Sequence, residues 1–183
     1  KINTGSSNRR VVFYIGDPAL NLAIPKPKVV LTAVNDVPLT GAIPNFEALA
    51  PIKISGMLTD ENEQLLSNYN GDVAIQIFDK EINRSTLGND GTQVGGQTAI
   101  LDFKTLGETI FRGNATVNNG LFELNFVVPQ DIKIPLGNGK VSFYAKTDTP
   151  NLSDNTGFST AITVGGVNVN APTDVTAPSV ELY

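Results

Sequence analysis

Residues Leu121–Val128 read LFELNFVV, with Phe122, Leu124, Phe126 and Val128 on one side and Glu123 and Asn125 on the other. A repeat of two residues suits a strand with one face in a core, and a helix cannot use it. The same alternation recurs along the chain. Ile52, Ile54 and Leu58 oppose Lys53 and Ser55; Val73, Ile75 and Ile77 oppose Asp72, Ala74 and Gln76; Val141, Phe143 and Ala145 oppose Lys140, Ser142 and Lys146. Weaker strand signals cover Val29–Val34, Ala99–Phe103, Thr109–Val117 and Phe158–Val164. No window carries a 3.6-residue stripe, and Asn62–Ser67 has room for one helical turn at most.

Turn chemistry separates these segments at Asn70-Gly71, Asn119-Gly120, Asn138-Gly139 and Gly165-Gly166. Asn and Gly accept the positive φ of tight hairpins, and Asn119-Gly120 lies directly between two strand signals. Roughly seven to nine short strands at this spacing predict an all-β fold, an immunoglobulin-like antiparallel β-sandwich over residues 26–167. With no Trp and no Cys in the chain, its core is aliphatic and Phe-based. Ile54, Ile75, Phe122, Leu124, Phe126, Val141 and Phe143 are expected to face inward. The stretch Lys80–Leu106 exceeds what a minimal sandwich needs. Its Gly-rich GNDGTQVGGQ reads as a mobile loop, and Asp148–Thr156 as a second polar loop.

The absence of both Cys and His narrows function. Cys-His and Ser-His nucleophilic pairs cannot be built, and neither can an ordinary zinc site. Carboxylates, a Ser-Lys pair or an oxygen-ligated cation are what remain, so the chain by itself is not expected to be an enzyme. A formal net charge of −5, from 13 basic and 18 acidic residues without long runs, argues against nucleic acid. No apolar run reaches the roughly 20 residues of a membrane helix.

The ends read as pieces of neighbouring units. Val11–Ile15 is a short apolar strand preceded only by polar KINTGSSNRR. It is followed by a Gly16-Asp17-Pro18 turn, a patch of Ala19, Leu20, Leu22, Ala23 and Ile24, and a Pro25-Lys26-Pro27 link. Residues 1–25 are therefore expected to close an upstream domain, and residues 168–183, ending DVTAPSVELY, to lead into a further module. Exposed strand edges pair readily, so Val11–Ile15 is also a candidate for a strand-mediated homodimer.

Three phrases, FYIGDPALNLAIPKP, IKISGMLTDENEQLLSNYNGDVAIQIFDK and DVTAPSVELY, together resemble the gingipain-like cysteine peptidases of Bacteroidetes, in particular their sortase-like branch in the type IX secretion system. The resemblance implies that the first phrase ends a catalytic domain and the second belongs to the immunoglobulin-like domain after it. It implies a secreted, outer-membrane-associated parent that cleaves and anchors cargo, with the upstream catalytic domain and other secretion components as partners. The family's catalytic Cys and His would lie upstream, and no position here matches them.

No catalytic, cofactor-binding or metal-ligating residue is assigned. The acidic loop Asp60-Glu61-Asn62-Glu63 has the oxygens a calcium site uses but not the spacing of an EF-hand, and a solvated turn is the simpler reading. Asn89-Asp90-Gly91 and Asp148–Asp154 read the same way, and turn chemistry accounts for Gly16–Pro18. Asn83-Arg84-Ser85, Asn114-Ala115-Thr116 and Asn151-Leu152-Ser153 match the glycosylation triplet, a pattern common by chance. The favoured reading is a non-catalytic spacer or partner-contact module. Its rival is an adhesin-like or carbohydrate-binding sandwich, for which Tyr14, Tyr69, Tyr144 and Tyr183 are the only tyrosines available.

Overall fold

The computed structural model describes residues 28–148 and 153–172. The expectations for Val11–Ile15 and Gly16–Pro18, for residues 173–183 of the C-terminal linker and for Asn151-Leu152 lie outside that set. In chain order the strands are β1 (Val29–Val34), β2 (Val37–Pro38), β3 (Phe46–Ala48), β4 (Pro51–Leu58), β5 (Gly71–Phe78), β6 (Ile82–Ser85), β7 (Gln93–Val94) and β8 (Gln97–Thr98). There follow β9 (Asp102–Thr105), β10 (Thr109–Val117), β11 (Leu121–Val127), β12 (Gly137–Asn138), β13 (Lys140–Thr147), β14 (Asn155–Ser159) and β15 (Thr163–Val167). No helix is present among the described residues; Asn62–Ser67 forms turns.

One sheet has the order β11-β4-β1-β2 and the other β10-β5-β13-β14, all antiparallel. A third, smaller ladder, β12-β15-β3, includes a parallel pairing of β15 with β3. The alternation does what period two requires. Ile52, Ile54 and Leu58 from β4 meet Val73, Ile75 and Ile77 from β5 and Val141, Phe143 and Ala145 from β13 in one core. Of the seven expected core residues six are buried. Leu124 points the same way but is half-buried, because β11 is an edge strand with one open flank. The Asn118–Leu121 hairpin closes through two backbone bonds of 2.9 and 3.0 Å. Asn119 and Gly120 both have positive φ, as a two-residue primed turn demands.

Other turn signals resolve differently. Gly71 opens β5 after a crossover between the sheets, and Asn70-Gly71 is not a hairpin. Asn138-Gly139 joins β12 to β13, where a Cβ on Gly139 would crowd the Phe78 carbonyl and Val164; close approach explains that glycine. Gly165-Gly166 lies inside β15, at positive φ, where the register against β3 shifts between Val164 and Val167; it is a bulge and no turn. The single segment expected at Phe158–Val164 is two strands. Gly157 is buried before the break and Ile162 and Val164 after it, so the alternation changes phase as the chain leaves the second sheet at Thr160-Ala161. Of the Ala99–Phe103 segment only Asp102 and Phe103 are strand, in β9; Ala99–Leu101 form the link from β8.

The two sheets touch along β1 and β14. The Lys28 amide donates to the Thr156 carbonyl at 2.8 Å, and Gly157 lies against the Val29 carbonyl. Chain entry is thus at the end of the sandwich that holds Leu58 and Gly71. The exit is at the other. Asn168 N–H donates to Ala48 O at 3.0 Å and its side chain to Leu49 O, beside Pro51 and Val128. Tyr69, fully buried, ties the crossover to β13 by donating its hydroxyl to the Ala145 carbonyl at 3.1 Å.

Candidate functional site: a hairpin arm and its anchored base

The stretch read as a mobile loop is a paired hairpin. Ile82–Ser85 runs antiparallel to Asp102–Thr105, and Gln93-Val94 pairs with Gln97-Thr98 across a Gly95-Gly96 turn. Both glycines have positive φ, so a composition that looks too Gly-rich to pack supplies the turn of a primed hairpin. Thr86 N–H to Leu101 O and Ala99 N–H to Thr92 O continue the ladder between those pairs. Among the described residues no third strand lies beside either edge of this arm.

The arm carries large apolar side chains into solvent. Leu87 is 84% exposed, Leu101 67% and Ile100 61%, with Val94, Phe103 and Leu106 also exposed. A two-stranded ribbon has no core of its own, and open edges with apolar faces are what contact surfaces are made from. Scattered polar bonds hold its shape: Ser85 Oγ donates to Asp102 Oδ1 at 2.6 Å, and Lys104 pairs with Glu81 at 3.0 Å.

Its base is anchored by charge. Asp79, 3% exposed, directly follows β5, and its amide donates to the Glu108 carbonyl to close the neck of the arm. The Asp79 carboxylate accepts from Lys80 Nζ at 2.6 Å, Lys80 N–H at 2.7 Å and Lys133 N–H at 3.3 Å. Lys80 Nζ donates further to Lys133 O at 2.9 Å and Val164 O at 3.2 Å. Burial by itself pushes the Asp79 carboxyl up, but the hydrogen bonds from Lys80 and Lys133 outweigh it and hold the group below its ordinary value.

A carboxyl lowered in the folded state contributes stability above its unfolded pKa, and loses that contribution as pH falls through the folded value. The urea midpoint should therefore hold steady above about pH 5 and drop below about pH 4. Asp79→Asn should make that drop shallower without abolishing it, because Asp60, Asp90 and Asp154 are lowered too. A titration of equal depth in the variant would remove Asp79 from the account.

The other sequence candidates fall apart from this site. Asp60 Oδ1 accepts from the amides of Asn62 and Gln64 at 2.8 and 2.9 Å, which makes the acidic loop a side-chain-capped turn. Asp90 caps Thr92 in the same way, and Asp154 holds Thr147 N–H and the Tyr144 hydroxyl. No group of three or more acidic side chains able to hold a metal ion occurs among the described residues. Asn83 sits on β6 of the arm and Asn114 on the outer face of β10. Of the tyrosines inside the described set, Tyr69 is core and only Tyr144 is exposed. Near it Phe158 is exposed as well, but the Lys140 ammonium covers its ring at 5.0 Å. The arm was missed because no single segment of it alternates for long; the one available signal was the Gly95-Gly96 pair between short Gln/Val/Thr stretches.

The described residues therefore define an all-β antiparallel sandwich with a projecting hairpin, in a chain that has neither of the side chains of a Cys-His dyad. Among solved structures, it is similar to dimeric latent PorU from Porphyromonas gingivalis, with 25% identity and a TM-score of 0.65. That likeness covers 88% of this chain and 14% of the PorU chain. No family model matches the sequence, and no curated protein does. The chain is thus similar in structure to one part of PorU, and it lacks both side chains of a Cys-His dyad. No helix among the described residues is long and apolar enough to cross a membrane.

Proposed function

We propose that this chain is a non-catalytic immunoglobulin-like module of a secreted, cell-surface cysteine peptidase that processes and anchors cargo of the type IX secretion system. In this reading residues 26–167 form the sandwich, residues 1–25 close the peptidase domain before it, and residues 168–183 lead to a further module. The module spaces its neighbours and presents a contact element. The observation that carries the reading is the arm, a paired hairpin whose apolar side chains have no core of their own. Entry and exit at opposite ends of the sandwich support the spacing role. The order β1-β4-β11 opposed to β10-β5-β13-β14 supports the immunoglobulin-like assignment. Strand pairing between copies through Val11–Ile15 remains part of the proposal, and the similar PorU structure is described as dimeric.

A peptidase assay separates the module from an enzyme. The purified chain should not turn over peptide substrates with basic residues, because neither a Cys-His nor a Ser-His pair can be assembled from it. Turnover that copurifies with the chain and is abolished by a thiol-directed inhibitor would contradict the reading.

A further inference from the structure

Lys80 occupies an unusual position for a lysine. Its side chain is 16% exposed, and its stem lies against Gly137, where any Cβ would strike the Lys80 methylenes. Gly107 is equally constrained, since a Cβ there would meet the Asp79 and Lys80 carbonyls. The ammonium ends in a cage of three acceptors from three places: Asp79 at the neck of the arm, Lys133 in the connection before β12, and Val164 in β15. That connection is bound in turn to β15, with Gly166 N–H donating to Ile134 O at 2.8 Å. From β15 the chain passes to Asn168 and out of the sandwich.

We propose that Lys80 is a latch that fixes the base of the arm to the strand through which the chain leaves the sandwich, so that arm direction and exit strand are set together. A structural ion pair would need only one carboxylate; this ammonium also takes two main-chain carbonyls from elements distant in sequence. Burying it costs heavily unless every donor is satisfied, which restricts the three elements to one arrangement. Glu81, Lys104 and Lys140 also line the neck, and Glu81 and Lys104 satisfy each other. A load on the arm then reaches the exit strand directly through the Lys80–Val164 bond and indirectly through Lys133 and the Gly166–Ile134 bond. The latch deepens the contact reading by saying how contact at the arm is transmitted, and it stands on geometry even if the arm meets no partner.

The chain has no cysteine, so paired spin labels can be placed uniquely. One pair, Asn83→Cys with Asn170→Cys, spans the arm base and the exit; another, Thr116→Cys with Glu123→Cys, reports the sandwich alone. Lys80→Met keeps the stem and removes the charge. It should broaden the first distance distribution and leave the second unchanged. Amide exchange in peptides covering 131–136 and 162–168 should rise roughly tenfold, the scale of one charged hydrogen bond. A folded Lys80→Met protein with the first distribution and both peptides unchanged would overturn the latch. Should that variant fail to fold, D79N/K80M removes both charges and carries the same readouts with the same two outcomes. All of this is measured on the chain alone, so a failed search for an arm partner and a failed latch give different results.

Discussion

Phe126→Ala should cost about 3–5 kcal/mol, the range for truncating a buried Phe and a large share of a domain's stability. The ring is 8% exposed, stacks on Phe111 at 4.4 Å between centroids and is tilted against Phe46 at 6.0 Å. It therefore links an edge strand of one sheet to an edge strand of the other and to β3. Because β11 is itself an edge, the cavity can partly collapse, which favours the lower part of that range. Val127→Ala is the internal control. That side chain is 59% exposed, and its loss should stay within about 0.5 kcal/mol. Urea midpoints measure both, and an unchanged midpoint for Phe126→Ala would mean the strand faces the other way.

Gly157→Ala should be at least as damaging, for a different reason. The residue is buried at the seam between β1 and β14, and a Cβ there would run into the Val29 carbonyl. Its φ is not in the left-handed region, so the requirement for glycine is steric and not conformational. Main chain lies on both sides of the contact and has no rotamer through which to escape. Relief requires β1 to move away, which breaks the Lys28–Thr156 bond and opens one flank of the core. We expect a loss above about 3 kcal/mol. Faster amide exchange at the start of β1 should accompany it. A fully stable Gly157→Ala protein with protected Lys28–Leu31 amides would show that the seam is looser than described.

Both positions show what could be read without coordinates. Phe126 was legible, because alternation over Leu121–Val128 records a local event, one strand laying one face on a core. Gly157 was not, because its constraint comes from Val29, a residue with which it has no sequence relation. The same distinction runs through the glycines. Asn119-Gly120 turns the chain locally and reads correctly, whereas Gly139, Gly165 and Gly166 answer to neighbouring backbones or a register shift and were read as turns. The arm was the largest misreading. Its strands have no buried face, so period two has nothing to act on, and Gly95-Gly96 at its tip suggests flexibility to a reader of composition alone. The Asp79–Lys80 base was invisible for a related reason, since adjacent opposite charges in sequence ordinarily mean a solvated turn. The resemblance through FYIGDPALNLAIPKP and its companion phrases pointed to the same kind of protein as the structural likeness, although no position in this chain carries the chemistry of that family.

If the arm is the contact element proposed above, its exposed apolar side chains meet another surface. Site-specific photo-crosslinking in cells producing the protein tests this, with a photoreactive residue at Phe103 on the arm and, separately, at Asn114 on the exposed face of β10. A discrete crosslinked product is expected from Phe103, within the chain or to a partner, and none from Asn114. No product from the arm, or equal products from both positions, would contradict it.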